Sequence, residues 1–407
     1  MLYDNAQLVS LYTKAYLVTK NPIYKDVVYH TLEFIQREMT DSSGGFYSSL
    51  DADSQGEEGK YYVWIKDEVD RILGSNAPLF EEYYNITVSG NWKNGENILY
   101  TTSSYQGIAD KKNIPVTEIK HSIESSRELL LVKRGHRVRP RTDDKILTSW
   151  NALMLNGYLD AYRAFDGPRF LEAAKANAAF LLRNIIGSDN VIKRNYKNGK
   201  ASVTGFLDDY AFTISAFINM YQATFDEKWL LKSKALADYA LQHFYDGKSG
   251  MFFYTPDNGE SLIVREKEIA DNVIPASNSE MAKDLFVLGQ YFYDTSYTGK
   301  AKRMLDNEIA NVVKLPMFNS NWGMLLEWQV GRFYEVSIVG QDWERKRQKF
   351  AKVYLPNVIL AGGKDEGKLE MLKNKMVKGQ TMIYVCQDKL CKLPVTEVNN
   401  ALSQIRK

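Results

Sequence analysis

The sequence predicts a mainly α protein, an (α/α) toroid of helical hairpins with a small α/β appendage at its C-terminal end. Two observations predict it. Four times a polar Asp or Asn cluster opens an apolar helix, a tight turn follows, and a second helix runs back. The openings read Leu2-Tyr3-Asp4-Asn5-Ala6, Leu147-Thr148-Ser149-Trp150-Asn151-Ala152, Phe206-Leu207-Asp208-Asp209-Tyr210-Ala211 and Pro275-Ala276-Ser277-Asn278-Ser279. Within the pairs the two helices also differ. First helices are apolar nearly all round, as in Phe212, Ile214, Phe217, Ile218 and Tyr221, whereas second helices carry charges such as Lys232, Lys234 and Asp238. Buried helices ringed by amphipathic ones make a toroid.

The first hairpin runs from Asp4 to about Thr40 and turns at Lys20-Asn21-Pro22, where a proline suits a helix start. The second spans Ser149 to about Asn184 with its turn at Asp166-Gly167-Pro168. The third runs from Asp208 to Phe244, turning at Phe225-Asp226-Glu227, and the fourth from Ser277 to about Val313, turning near Thr298-Gly299. The later first-helices start about 60 to 70 residues apart and the first two roughly twice that, which places a hidden repeat between them. Helical candidates there are Lys66–Gly74 and Thr117–Lys133, and Trp322–Gln329 adds one more helix. Gly44-Gly45-Phe46-Tyr47 and Gly250-Met251-Phe252-Phe253-Tyr254 read as short strands leaving outer helices. Asp51 to Trp64 reads as a β-hairpin with an acidic tip.

After about Gly331 strands and helices alternate through Glu335–Gly340, Asp342–Val353, Asn357–Ala361, Leu369–Lys375, Thr381–Val385 and a final helix at 395–406. That alternation predicts a small parallel sheet. The expected division is a toroid over residues 1–330 and an α/β subdomain over 331–407.

Composition narrows the function classes. The chain has 407 residues, 44% of them hydrophobic and 25% charged, with a formal net charge of +2. That balance gives no electrostatic reason to expect nucleic acid. No apolar stretch approaches the roughly 20 residues that span a bilayer. Neither a signal segment nor a cofactor or metal motif is visible, so the expected location is cytoplasmic with no cofactor. Cys386 and Cys391 do not form a CxxC motif and read as a pair of inert or weakly metal-binding thiols.

Parallel inner helices would bring their N-termini, with free N–H groups and partial positive charge, to one mouth of a central funnel. Asp4, Asn5, Asn151, Asp208, Asp209 and Asn278 would converge there, although the same residue types also serve as plain helix caps. The segment Arg137 to Lys145 leads into the second opening and would add Arg139, Arg141, Asp144 and Lys145, unless it is a salt-bridged connector. A glycosidase needs two carboxylates about 5 to 10 Å apart. Asp144, Asp208 and Asp209 are the catalytic candidates, with Asp4 and Asp53 behind them. Trp64, Trp150 and Tyr210 would stack on a sugar ring. The loop at Asp51 begins like a calcium loop, but Tyr62 stands where a bidentate Glu is required. No histidine sits at an inner-helix start, which disfavours an epimerase base.

Seven blocks in order resemble the YyaL-like family of thioredoxin-domain-containing proteins, which includes the spermatogenesis-associated thioredoxin-like proteins. They are MLYDNAQL (1–8), DADSQGEEGKYYVW (51–64), NWKNGENIL (91–99), RPRTDDKILTSWN (139–151), FLDDYAF (206–212), PASNS (275–279) and YVCQDKLCKLPVT (384–396). The resemblance implies an (α/α)6-type toroid, six-hairpin glycosidase-like and related to N-acylglucosamine 2-epimerase. It implies a small-molecule or oligosaccharide ligand, and a separate thioredoxin-like domain or protein as partner. The family's thioredoxin-like region and the His-Phe-Glu-Lys stretch before MLYDNA are missing, so Met1 reads as an internal start, an artificial boundary or the edge of a split gene, any of which could take part of a hairpin with it. The family's Pro-Ser-Gly-Asn-Ser is Pro275-Ala276-Ser277-Asn278-Ser279 here. The expected function is a carbohydrate-acting domain, glycosidase- or epimerase-like, the alternative being a non-catalytic ligand-binding or scaffold domain.

Overall fold

The computed structural model describes residues 1–259 and 263–405. Its first hairpin pairs α1 (Leu2–Thr19) with α2 (Pro22–Glu38). Four helices follow between residues 49 and 143: α3 (Lys66–Leu73), α4 (Ala77–Tyr84), α5 (Tyr105–Lys112) and α6 (Val116–Arg134). The hairpin pattern resumes with α7 (Thr148–Phe165) and α8 (Pro168–Phe180), then α9 (Leu207–Thr224) and α10 (Lys228–His243). The last pair is α11 (Ser277–Phe292) and α12 (Thr295–Lys314), followed by a single helix α13 (Ser320–Val330).

The turns share one local grammar. The first helix of each hairpin ends on a left-handed residue, Lys20, Asp166, Phe225 or Tyr293, with φ of 57°, 57°, 52° and 54°. One such residue stops the i to i−4 ladder and reverses the chain without a long loop. The outer helix then starts at once, with Pro22 and Pro168 in the first turn of two of them. The fourth turn lies at Tyr293-Asp294, where the Asp294 side chain accepts from Ser296 N at 2.9 Å. Thr298 and Gly299, expected to form it, lie inside α12.

Met1–Ser48 and the chain from Asp144 onward make one compact unit, and Ser49–Asp143 makes a second. In the first, the inner helices pack side by side in the order α1, α7, α9, α11, α13, each backed by its own outer helix where it has one. Alternating antiparallel pairs leave all inner helices running the same way. Gly157 lets α1 and α7 approach closely, since a Cβ there would sit 3.2 Å from the Ala6 carbonyl oxygen. Tyr210, Phe217, Met220, Tyr221 and Leu285 are fully buried in the shared core.

Both helical candidates expected between the first two hairpins form, as α3 and α6, but among the described residues they fall in the second unit and add no hairpin to the first. Residues 49–143 instead build their own core, from Trp64, Val69, Phe80, Ile119 and Ile123. Their helices α3, α4 and α5 are only 8 residues long, too short to stand as a ring hairpin. The two ends of this unit pair as antiparallel strands, Ser49 with Asp143 and Leu50 with Thr142. The acidic hairpin forms as expected, Asp53 pairing with Glu58 and Ser54 with Glu57.

The C-terminal residues form a four-stranded sheet within the first unit. Tyr334–Val339 pairs in parallel with Val358–Gly363 across α14 (Trp343–Ala351). Met382–Gln387 lies antiparallel on its other side and carries Leu390–Cys391 at the edge. The sheet is therefore mixed, where a parallel one was expected. A parallel return needs a long crossover, and residues 369–375 supply only a single turn at Glu370–Leu372. The last helix, α15, covers Val398–Ile405, and Arg406 lies outside the described residues. Cys386 and Cys391, read as free thiols, form a disulfide across directly paired positions of one hairpin.

Candidate functional site in the bore of the ring

Inside the ring the inner helices are not apolar all round. Asn156, Asp160 and Arg163 on α7 and Ser215, Asn219 and Gln222 on α9 keep one spacing, four residues and then three, and Glu280 and Asp284 on α11 keep its first step of four. That spacing puts each set on one face of its helix. These faces, with Gln7 and Lys14 of α1 and Asn321 and Trp328 of α13, line a cavity of about 1160 Å³. Phe212, Leu153, Ile218, Val287 and Phe333 supply its apolar wall. Leu360 of the C-terminal sheet reaches the same cavity, its N–H donating to Gln222 Oε1 at 3.2 Å.

The lining groups satisfy one another in a chain. Asn219 Nδ2 donates to Asn156 Oδ1 at 2.8 Å, and Gln222 Nε2 donates to Asn219 Oδ1 at 3.2 Å. On the other side Lys283 Nζ donates to Glu280 Oε2 at 2.9 Å and to Asn321 Oδ1 at 2.7 Å. Asn321 Nδ2 donates to Glu280 Oε2 at 3.0 Å. Asp284 breaks the pattern, because its Oδ2 is buried with no hydrogen-bond partner.

The two carboxyls one turn apart on α11 are driven in opposite directions. Burial would raise Glu280, but the Lys283 ammonium and hydrogen bonds from Lys283, Asn321 and Ser215 outweigh it and hold the group below its ordinary value. At Asp284 burial acts first and the Glu280 charge adds to it, lifting the carboxyl well above its ordinary value against the pull of Lys283. One site thus holds two carboxyls whose proton affinities are pushed apart, the arrangement that acid–base catalysis uses. Trp328 stands beside them, with Lys283 Nζ 5.8 Å from its ring centre.

The residues expected to form a mouth occupy a different place, and the cavity walls include none of them. Asn151 and Asn278 act as brackets. Asn151 accepts from Phe46 N at 2.7 Å and donates to Phe46 O at 3.0 Å. Asn278 repeats this on Phe252, at 2.8 and 3.0 Å. Each clamps the strand leaving one outer helix to the start of an inner helix.

Asp209 accepts from Ser149 N, from its own cap at Phe206 N and from Arg194, at 3.0, 2.9 and 3.0 Å. Its burial, then Asp208, push its carboxyl up to about 7 against Arg194 and the backbone donors. Asp208 shares Arg194 at 2.9 Å. Tyr210 is fully buried, stacked on Tyr239, and its OH accepts from Ile192 N, so no ring face is left for a ligand. Trp150 packs edge-on against Tyr3. Asp144 pairs with Lys197 at 2.6 Å, and Lys145 is partly buried close by in sequence. Asp4 pairs with the terminal amine, while Asn5 donates to the Met1 carbonyl.

Asp53, Trp64, Arg139 and Arg141 belong to the other unit. Trp64 is buried there with the Arg137 guanidinium 4.0 Å from its ring centre, so that face is covered. Asp53 and Arg141 are exposed.

No protein-family model matches the chain. Over 443 residues it is 28% identical to spermatogenesis-associated protein 20 of Homo sapiens, an alignment covering 98% of the chain and 56% of that protein. An uncharacterised protein of Caenorhabditis elegans is 26% identical over 439 residues, covering 98% of the chain and 60% of its own length. The family resemblance read from the seven blocks holds along the chain. The chain spans little more than half the length of these relatives. Among solved structures, a D-mannose isomerase aligns with TM-score 0.38 and 15% identity over 76% of the chain and 75% of its own. A cellobiose 2-epimerase from Bacillus thermoamylovorans gives 0.36 and 13% over 68% of each. At those scores neither bears on the chemistry of the bore.

The bore residues were readable in principle. Two inner helices carry polar side chains at the same four-then-three spacing inside otherwise apolar runs, a third shares the step of four, and a polar stripe on a buried helix must face something polar.

Proposed function

We propose that the bore binds a sugar or sugar-like ligand and performs acid–base chemistry on it, with Asp284 as proton donor and Glu280 as its ionised partner. The unpartnered, buried Asp284 Oδ2 carries this reading. A carboxyl oxygen held dry and unpaired is costly in a resting fold, and a ligand hydroxyl or glycosidic oxygen would satisfy it. The amide stripe of Asn156, Asn219 and Gln222 offers donors and acceptors to a polyhydroxylated ligand, and Trp328 with Phe333 offers an apolar face to a ring. The family resemblance along this chain supports the same substrate class, since it implies a carbohydrate-related architecture.

Side chains one turn apart have Cβ atoms about 5 to 6 Å apart. Both carboxyls therefore meet a ligand from one side, and Asp160 on α7 supplies a further carboxylate to the same cavity. A thermal-shift screen against mono- and oligosaccharides, with the sugar product followed by NMR, tests the proposal. A hit should stabilise the protein, turn over, and lose turnover in Asp284→Asn and Glu280→Gln. Stabilisation without turnover would favour a binding module. No stabilisation by any sugar, or stabilisation and turnover unchanged in both variants, would sink the proposal.

A further inference from the structure

A second cluster of reactive side chains lies on the C-terminal sheet, and none of its members lines the bore. Cys386 and Cys391 face each other on the outermost hairpin of that sheet and are joined by a disulfide. Their surroundings differ sharply. Cys386 is 1% exposed, whereas Cys391 is exposed on the edge strand between the open side chains of Leu390 and Leu393. Behind the buried sulfur stands a buried lysine. Lys375 Nζ donates to Ser337 Oγ at 3.1 Å and lies 3.5 Å from Cys386 Sγ. Glu335, paired in register with Cys386, is also buried and accepts from Tyr293 OH at 3.3 Å. The groups around the inner sulfur are thus Lys375, Glu335 and Tyr293, with Asp388 and Lys389 at the turn.

We propose that this pair is a thiol–disulfide exchange site for a dithiol reductant, entered at Cys391, with Cys386 as the leaving thiolate. A thiolate of the reductant attacks Cys391 Sγ from the open edge, forming a mixed disulfide. The Sγ–Sγ bond breaks and its electron pair stays on Cys386, where the Lys375 ammonium meets the new negative charge. The reductant's second thiolate then attacks its own sulfur in the mixed disulfide and releases Cys391. The dithiol leaves as a cyclic disulfide, and the cysteine pair has gained two electrons and two protons. Attack at Cys386 is blocked because that sulfur is buried. A leaving thiol of lower proton affinity departs faster, and this is what a neighbouring ammonium provides.

The test uses the whole protein under native conditions. Millimolar dithiothreitol should open the disulfide without loss of the circular dichroism signal. Lys375→Met should slow that step by about three- to tenfold, with Lys375→Arg restoring most of it. In a second arm, glutathione disulfide should form a mixed disulfide on Cys391 in Cys386→Ser, and none on Cys386 in Cys391→Ser, as located by peptide mass spectrometry. A disulfide that yields only on unfolding would overturn the proposal. So would an adduct on Cys386, or a rate unchanged in a folded Lys375→Met.

Discussion

Asp284 and Glu280 sit one turn apart in the same bore, yet only Glu280 has hydrogen-bonding neighbours that reward ionisation. Burial and the Glu280 charge raise the folded-state proton affinity of Asp284. A carboxyl raised in this way adds stability below its unfolded value, near pH 4, and forfeits it as pH climbs through the folded value. Asparagine mimics the protonated acid and does not titrate. Asp284→Asn should therefore match the wild type near pH 4 and exceed it at pH 8. Relieving an uncompensated buried group is worth about 1 kcal/mol or more, which corresponds to roughly 2–4 °C in a domain of this size. Melting curves from pH 4 to 8 check this. A gap that stays constant or narrows with rising pH would mean that Asp284 is ionised and partnered in the fold. Glu280 has the opposite sign, contributing stability above its unfolded value and losing it as pH falls.

At the scale of the element, the repeated Asn at inner-helix starts joins one hairpin to the next. Asn151 on Phe46 and Asn278 on Phe252 each exchange two hydrogen bonds with a buried strand residue, as a neighbouring strand would. Alanine at either site strands one buried N–H and one buried C=O. Each loss costs about 1–3 kcal/mol, so Asn151→Ala and Asn278→Ala should each destabilise by roughly 2–6 kcal/mol. Aspartate should not rescue them, because it cannot donate to the phenylalanine carbonyl. Urea unfolding checks both substitutions, and a cost below that of an ordinary surface change would remove the bracket reading.

These brackets also show how far the sequence reaches. The hairpins were legible because caps, prolines and apolar runs are local signals. The Asp and Asn clusters stood out for the same reason, but the partners of Asn151 and Asn278 are backbone groups from the preceding hairpin, which only the folded ring reveals. The bore residues gave a quieter signal, two or three polar positions per helix, and identifying the face they share required the ring. The disulfide was missed because its hairpin turns at Asp388-Lys389. Both residues adopt left-handed φ, of 50° and 67°, without the glycine or asparagine that usually marks such a turn.

For the whole molecule, the question is what the ring needs in order to hold its site. Every residue lining the bore belongs to the unit made of Met1–Ser48 and the chain from Asp144 onward. Residues 49–143 have a separate hydrophobic core, and their two ends lie side by side as paired strands at Ser49–Leu50 and Thr142–Asp143. Adjacent ends mean that excision leaves a short gap, which a two- or three-glycine link spans with a small loop-closure cost. Joining Ser48 to Asp144 in this way should give a protein that melts cooperatively and keeps any sugar-induced stabilisation of the full chain. Residues 49–143 made alone should show helical circular dichroism and a melting transition of their own. An aggregated or non-cooperative ring would show that the helices of residues 49–143 are needed to hold the ring together. Loss of sugar stabilisation in a well-folded deletion would place part of the ligand site on those residues and return Asp53, Arg139 and Arg141 to consideration.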